Sequence, residues 1–382
     1  MTLAKDVVKA MWLSQFDLTL MCLDDQKQIR EQDAYTSRVV LMLSKLRMMG
    51  FNTLFVQVRP NADSFYPSSL FPPSAYAVGE GEHFSYDPFG ILVAEAQKAS
   101  LSVIAWINPL RCMATSSAAA TDTRYAIGRW IAEKSPLVRE VGGYYYLDPA
   151  YAETRALVCD GAREALSRYS VEGLIIDDYF YPTTDASFDA RSYTAYQSGG
   201  GEASLDDFRR ENTQRLVGDL QRTAHACGVP FWVSPGGNIE RNRNELFADV
   251  AAWCDAGLVD YLCPQIYFGL AHQTHPFEQV ALAFSQMVAD TDVRLVPCMT
   301  LEKAARGFAG QGDTYAGTGE NEWIERQDVL LRCLQQAERI EGVCGVAYFS
   351  YRLFYSPSDG SEYLPTQKER EALLPYLLDA YR

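Results

Sequence analysis

Short β-type apolar runs alternate with amphipathic helical stretches from residue 9 to residue 350, and this alternation constrains the fold more than any other feature of the chain. The runs that read as strands are 9–16, 53–59, 102–108, 173–180, 230–235, 259–267, 294–299 and 342–350. Helical patterns fall between them at 35–49, 88–100, 154–169, 205–227, 276–289 and 322–340. Eight such cycles close naturally into a ring. A doubly wound sheet would more often carry a Gly-rich phosphate turn after its first strand, and none is present here. The expected fold is therefore α/β: a single (β/α)8 TIM barrel over residues 1–382, with long βα loops at 60–87, 109–149, 181–204 and 300–321. All four loops follow strand C-termini, the face on which such barrels place their chemistry. No repeat, low-complexity tract or linker divides the chain.

Composition narrows the partners. The 34 basic residues against 49 acidic ones leave a net charge of −15. That charge argues against nucleic acid, which requires a clustered positive field. Nine cysteines are scattered without a C-x-x-C pair and read as reduced core thiols. Lys5, Asp6 and Lys9 interrupt what would have to be the apolar region of a signal peptide, and no run is long and uncharged enough to span a bilayer. The expected location is cytoplasmic for the chain as it stands, or exported if a leader has been removed.

Strand ends stop being apolar in a common manner. They finish in Gln57, Arg59 and Asp63; in Trp106, Asn108 and Arg111; in Asp177, Asp178, Tyr179 and Tyr181; in Ser234 and Asn238; in Gln265 and Tyr267; and in Tyr348 and Ser350. Hydrogen-bonding groups, carboxylates and flat rings gathered at one rim are what a carbohydrate pocket requires, because sugars present hydroxyls and C–H faces.

The sharpest signal is the segment 173–182, where a buried-strand run breaks into Asp177-Asp178-Tyr179-Phe180-Tyr181. Two adjacent charges are costly to desolvate unless they bond or react. Strand alternation puts Asp177 and Tyr179 on the axial side and leaves Asp178 to orient a neighbouring loop or cation. Glycosidic cleavage uses two carboxyl groups, one protonated and one ionised. The sources considered for a second acid are Asp63, Glu302 and Glu240, with Asp63 ranked first and an Asx turn as its purely structural role. Arg59 and Arg111 suit guanidinium forks that hold a carboxylate or a substrate oxygen. Gln265 and Tyr267 alternate onto one side, placed to meet a sugar or steady the acid. His272 and His275 form an H-x-x-H spacing without a third ligand, and no G-x-S-x-G elbow is present, so neither a metal nor a cofactor is called for.

The motifs Met11-Trp12-Leu13, Gly50 through Pro60, Asp63 through Pro67, Tyr86-Asp87-Pro88, Ala105 through Pro109 with Arg111, and Leu147-Asp148-Pro149 run in order along the chain. They continue through Asp177 to Pro182, Arg209 to Asn212, Val233-Ser234-Pro235 with Gly237, Asp260-Tyr261 and Pro264 to Tyr267. In these the sequence resembles the bacterial glycosyl-hydrolase-like family 10. The resemblance implies a TIM barrel that hydrolyses glycan strands, with peptidoglycan lacking stem peptides as the best-known substrate type. The chain departs from that pattern at Leu110 (usually Tyr), Phe208 and Phe268 (usually Trp), Glu172 (usually Asp) and along Asn238 to Asn242. The competing functional readings are a non-catalytic glycan-binding barrel and a metal-assisted hydrolase.

Overall fold

The computed structural model describes residues 7–118 and 121–380; Lys5 and Asp6 lie outside them. Among the described residues eight parallel strands form the central ring. They are β1 (Val8–Leu13), β2 (Thr53–Arg59), β3 (Ser102–Ile107), β4 (Gly173–Ile176), β5 (Phe231–Val233), β6 (Tyr261–Leu262), β7 (Arg294–Leu295, resumed as Cys298–Thr300) and β8 (Gly345–Phe349). Each pairs with the next in chain order, and β8 pairs with β1. The ring closes through β7. Its first part pairs with β6 and its second with β8, and between them Val296 N–H donates to Leu262 O at 2.8 Å while Ala347 N–H donates to Pro297 O at 2.9 Å.

The period of two decides what fills the ring. Trp12, Phe55, Ile104, Trp106, Ile175 and Trp232 point to the axis and form a core of their own. The intervening residues, among them Met11, Leu54, Val56, Leu174 and Val233, face outward into a second core beneath the helices. Those helices include α1 (Gln15–Cys22), α2 (Gln32–Met48), α3 (Pro88–Lys98), α4 (Ala152–Arg168), α5 (Leu205–Ala226), α6 (Ile239–Asn244), α7 (Phe277–Val288), α8 (Val329–Ala337) and α9 (Gln367–Asp379).

Three elements differ from the sequence reading. The strand expected over 9–16 stops at Leu13, because Ser14 and Asp17 form a reciprocal capping box that starts α1 at once. The helix expected over 322–340 is broken into Glu322–Glu325 and α8. At the break the buried carboxylate of Glu369 accepts the N–H groups of Val329 and Leu330 at 3.0 and 3.1 Å, capping a fresh helix start. The loop after β3 contains an unexpected antiparallel sheet of Arg111–Ala114, Val138–Val141 and Tyr144–Leu147.

The long loop after β4 is tied down by a fully buried pair. Arg209 on α5 donates Nε and Nη2 to Asp189 at 2.8 and 2.6 Å, and its remaining donors reach the carbonyls of Thr184 and Asp185.

Candidate active site

An open cleft of about 260 Å3 sits at the C-terminal mouth of the ring, close to the lower end of the size range of small-ligand sites. Its aromatic lining is Trp12 and Phe16 from the β1 end, Trp106 from β3, Tyr179 after β4, Tyr267 after β6 and Phe349 from β8. Trp12 meets Trp106 edge-on at 4.7 Å and 87° and Phe55 at 4.7 Å, contacts that hold the floor rigid. Ser14, Gln15, Gln57, Arg111, Asp177, Asp178 and Gln265 supply the polar lining.

Asp177 is the residue at which β4 stops. Its axial direction follows from Ile175, two positions earlier, which points into the ring. The carboxylate is only 2% exposed; Oδ2 accepts Trp106 Nε1–H at 3.0 Å and Asn108 Nδ2–H at 2.6 Å, and Oδ1 accepts the Tyr179 N–H at 3.3 Å. The Asn108 amide is itself oriented by Gln57 Nε2, which donates to Asn108 Oδ1 at 2.7 Å, while Gln57 Oε1 accepts the Gln15 N–H at 2.6 Å. A chain of amides from the start of α1 to the carboxylate thus fixes its position. Burial, and then the negative charge of Asp178, push the Asp177 carboxyl up to about 8 despite these donors.

Asp178 lines the same cleft, where the alternation argument had turned it toward a neighbouring loop or cation. With the strand ended at Ile176, alternation no longer governs its direction. Its Oδ1 accepts Gln265 Nε2–H at 3.1 Å, and the same amide bonds the Ser234 carbonyl at 3.2 Å. Burial raises Asp178 too, opposed by the Gln265 hydrogen bond and the charge of Arg241. Gln265 can come this close because Gly237 leaves room: a Cβ there would sit 2.6 Å from the Gln265 carbonyl oxygen.

Of the residues singled out in the sequence, the structure brings Trp106, Arg111, Asp177, Asp178, Tyr179, Gln265 and Tyr267 to the cleft, with Asn108 directly beneath. It places the others elsewhere. Arg59 points outward from β2, its guanidinium 4.7 Å from the Phe71 ring and Nη1 donating to Val158 O on α4. Tyr348 also points outward, against Phe51 and Phe354. Tyr181 is buried between Phe188 and Phe247. Asp63 accepts the Asn61 N–H at 2.8 Å, the geometry of a local turn. Asn238 caps α6, accepting the Arg241 N–H, and Ser234 is wholly buried at the end of β5. Glu240 and Glu302 lie exposed in first helical turns. Trp12, Ser14, Gln15, Phe16 and Phe349 reach the cleft without having been chosen. Extending the alternation from the apolar runs of β1 and β8 would have assigned Trp12 and Phe349 to the axis.

The two histidines serve their own loop: His272 Nδ1 accepts the His275 N–H at 3.0 Å, and both rings pack on Phe268. No group of three or more His, Cys, Asp or Glu side chains converges as a metal site among the described residues. None of the described helices is long and apolar enough to cross a membrane.

The profile of the family described as Glycosyl hydrolase-like 10 matches residues 7–311. The chain is 31% identical over 277 residues to the glycosyl hydrolase YngK of Bacillus subtilis (strain 168), a match covering 67% of this chain and 54% of that protein. It is 32% identical over 279 residues to the glycosyl hydrolase DigH of Escherichia coli (strain K12), covering 66% and 63% respectively. The matches thus span about half to two thirds of the length of these curated relatives. Among solved structures, the catalytic domain of β-amylase from Paenibacillus polymyxa superposes with a TM-score of 0.61 at 10% identity, covering 98% of this chain and 100% of that one. At that identity the likeness is one of fold.

Proposed function

Because the chain belongs to the glycosyl hydrolase-like 10 family, we propose that residues 1–382 act as one domain that hydrolyses O-glycosidic bonds in an oligo- or polysaccharide. The substrate proposed is the glycan strand of bacterial peptidoglycan without stem peptides. The observation that carries this reading is the pairing of two carboxyl groups at one aromatic-lined cleft, both raised by burial. Asp177 and Asp178 are the acids that line it among the described residues.

Glycoside hydrolysis needs an acid to protonate the leaving oxygen and an ionised partner on the anomeric carbon or its attacking water. Asp177, almost wholly buried and with its carboxyl pushed up to about 8, suits the first role. Asp178, steadied by Gln265 and under the positive charge of Arg241, suits the second. As the glycosidic bond breaks, the Asp177 proton passes to the departing hydroxyl, and Asp178 either bonds the anomeric carbon or takes a proton from the attacking water. Trp12, Trp106, Tyr179, Tyr267 and Phe349 offer faces for the C–H surfaces of the sugar rings.

A non-catalytic glycan-binding barrel would keep the rings but have no use for two adjacent carboxyl groups raised by burial. The deciding experiment is digestion of a glycan panel, with peptide-free peptidoglycan strands and chitin-like oligomers, by the wild type and by Asp177→Asn and Asp178→Asn. New reducing ends from the wild type alone are expected. Equal release by all three proteins, or by none, would sink the assignment.

A further inference from the structure

Arg111 lines the cleft with no carboxylate in ion-pair contact among the described residues, although its charge reaches the buried Asp63. It opens the accessory sheet after β3, and its guanidinium stands 5.2 Å from the ring of Tyr144 and 5.0 Å from the ring of Tyr179, both more than a third exposed. Among the described residues it makes no ion pair and donates no hydrogen bond. The nearby acids are bonded elsewhere: Asp177 accepts from Trp106, Asn108 and the Tyr179 N–H, and Asp63 accepts from the Asn61 N–H. Ring contacts leave the in-plane N–H groups of a guanidinium free, and that planar fork matches a carboxylate.

We propose that Arg111 receives a free carboxylate on the sugar chain and sets the preference of the cleft for a glycan carrying one. This rests on the glycoside-hydrolase reading above and names the feature of the substrate that the cleft reads. The net charge of −15 repels a densely charged polyanion, so the ligand that fits is an isolated carboxylate on an otherwise neutral repeat. The lactyl ether of muramic acid is such a group once its stem peptide has been removed, since peptide attachment converts that carboxylate into an amide. A polyuronide would offer the same chemistry on every sugar.

The experiment compares peptide-free strands, the same strands with their carboxylates converted to methylamides, and oligogalacturonate. Each is offered to the wild type, Arg111→Gln and Arg111→Lys, with kcat/KM from reducing ends and Kd from titration calorimetry. The wild type should favour the carboxylated strand over its methylamide by tenfold or more. That ratio should fall close to one in Arg111→Gln and be only partly restored in Arg111→Lys, which keeps the charge without the fork. Oligogalacturonate should be the poorer carboxylated ligand; a preference for it would assign the site to uronides and overturn the isolated-carboxylate reading. A wild-type ratio near one, or a ratio unchanged in Arg111→Gln, would overturn the role of Arg111 while leaving hydrolysis intact. If no strand is cleaved, hydrolysis fails, and the Kd ratio still decides the fate of Arg111.

Discussion

Asn108 donates its side-chain amide to Asp177 Oδ2 at 2.6 Å, and it can do so only in the orientation that Gln57 imposes by donating to its carbonyl oxygen. A hydrogen bond to an ionised group stabilises that group by about 1.5–3 kcal/mol, equivalent to roughly one to two pKa units. Asn108→Ala should therefore raise the Asp177 carboxyl further and move the alkaline limb of the pH–rate profile upward by about that amount. The looser carboxyl should also lower kcat, by as much as about a hundredfold. A profile that stays in place would show that Asn108 does not act on Asp177.

Asp177→Asn should separate activity from stability. Loss of the proton donor should cost about 10²- to 10⁴-fold in rate. An amide of the same shape still accepts from Trp106 and Asn108 without a charge to desolvate. With its folded-state value raised to about 8, Asp177 contributes stability that is complete below its unfolded value and lost as pH rises through about 8. The variant should accordingly gain on the wild type as pH climbs from about 4 to about 8. Calorimetric melting at pH 5 and pH 8.5 tests this, and a variant less stable at the higher pH would contradict it.

Glu369 gives a second pH signature, remote from the cleft. Burial, opposed by the N–H groups of Val329 and Leu330, pushes its carboxyl up to about 7. Its contribution to stability is full below about 4.5 and is lost as pH rises through about 7. Glu369→Gln keeps one acceptor for the α8 cap and removes the titration. Urea midpoints measured from pH 5 to pH 8 should fall less steeply in the variant than in the wild type.

The Arg209–Asp189 pair is fully buried, so removing one member strands the other charge. Arg209→Met should cost about 3–5 kcal/mol, and the double change with Asp189→Leu should recover part of that. Denaturant unfolding of both variants reads the difference. Equal losses would mean that the loop contacts, rather than the uncompensated charge, dominate.

Gly161 faces Arg59 across the seam between α4 and β2, where a Cβ would lie 2.5 Å from Arg59 Nη1 and collide with the Phe71 ring. Gly161→Ala should therefore destabilise by about 1–3 kcal/mol from overpacking, against about 1 kcal/mol of helix propensity gained. Glycan affinity should be unaltered, because Arg59 stands outside the cleft. A change in KM without a change in melting temperature would return Arg59 to the site.

Much of the site was legible because strand ends in a barrel converge wherever their side chains obey the period of two. Trp106, Gln265 and the break from Ile176 into Asp177 announce themselves in that way. Tyr348 was misplaced because polarity was read without parity: it stands one residue off the axial register of Phe349 and so faces the helices. Arg59 shares the parity of Gln57, but a register shift between the two turns it toward the helices, and such a bulge is not visible in the hydrophobic pattern. The fork at Arg111 was visible, but that it keeps its donors free was not, since only three dimensions show which of the acidic residues come near it.

The sequence by itself determined the ring of strands and the address of the acidic pair, because both follow from local hydrophobic periodicity and from charge placed where a buried strand must end. Only the tertiary structure decided which strand ends share a cleft. It also decided that Asp178 turns into the cleft and that the Asp177 carboxyl is pushed upward. The physical reason is that protonation depends on desolvation and on neighbours brought from β1, β2, β3 and β6, and the chain assembles those neighbours only when the ring closes.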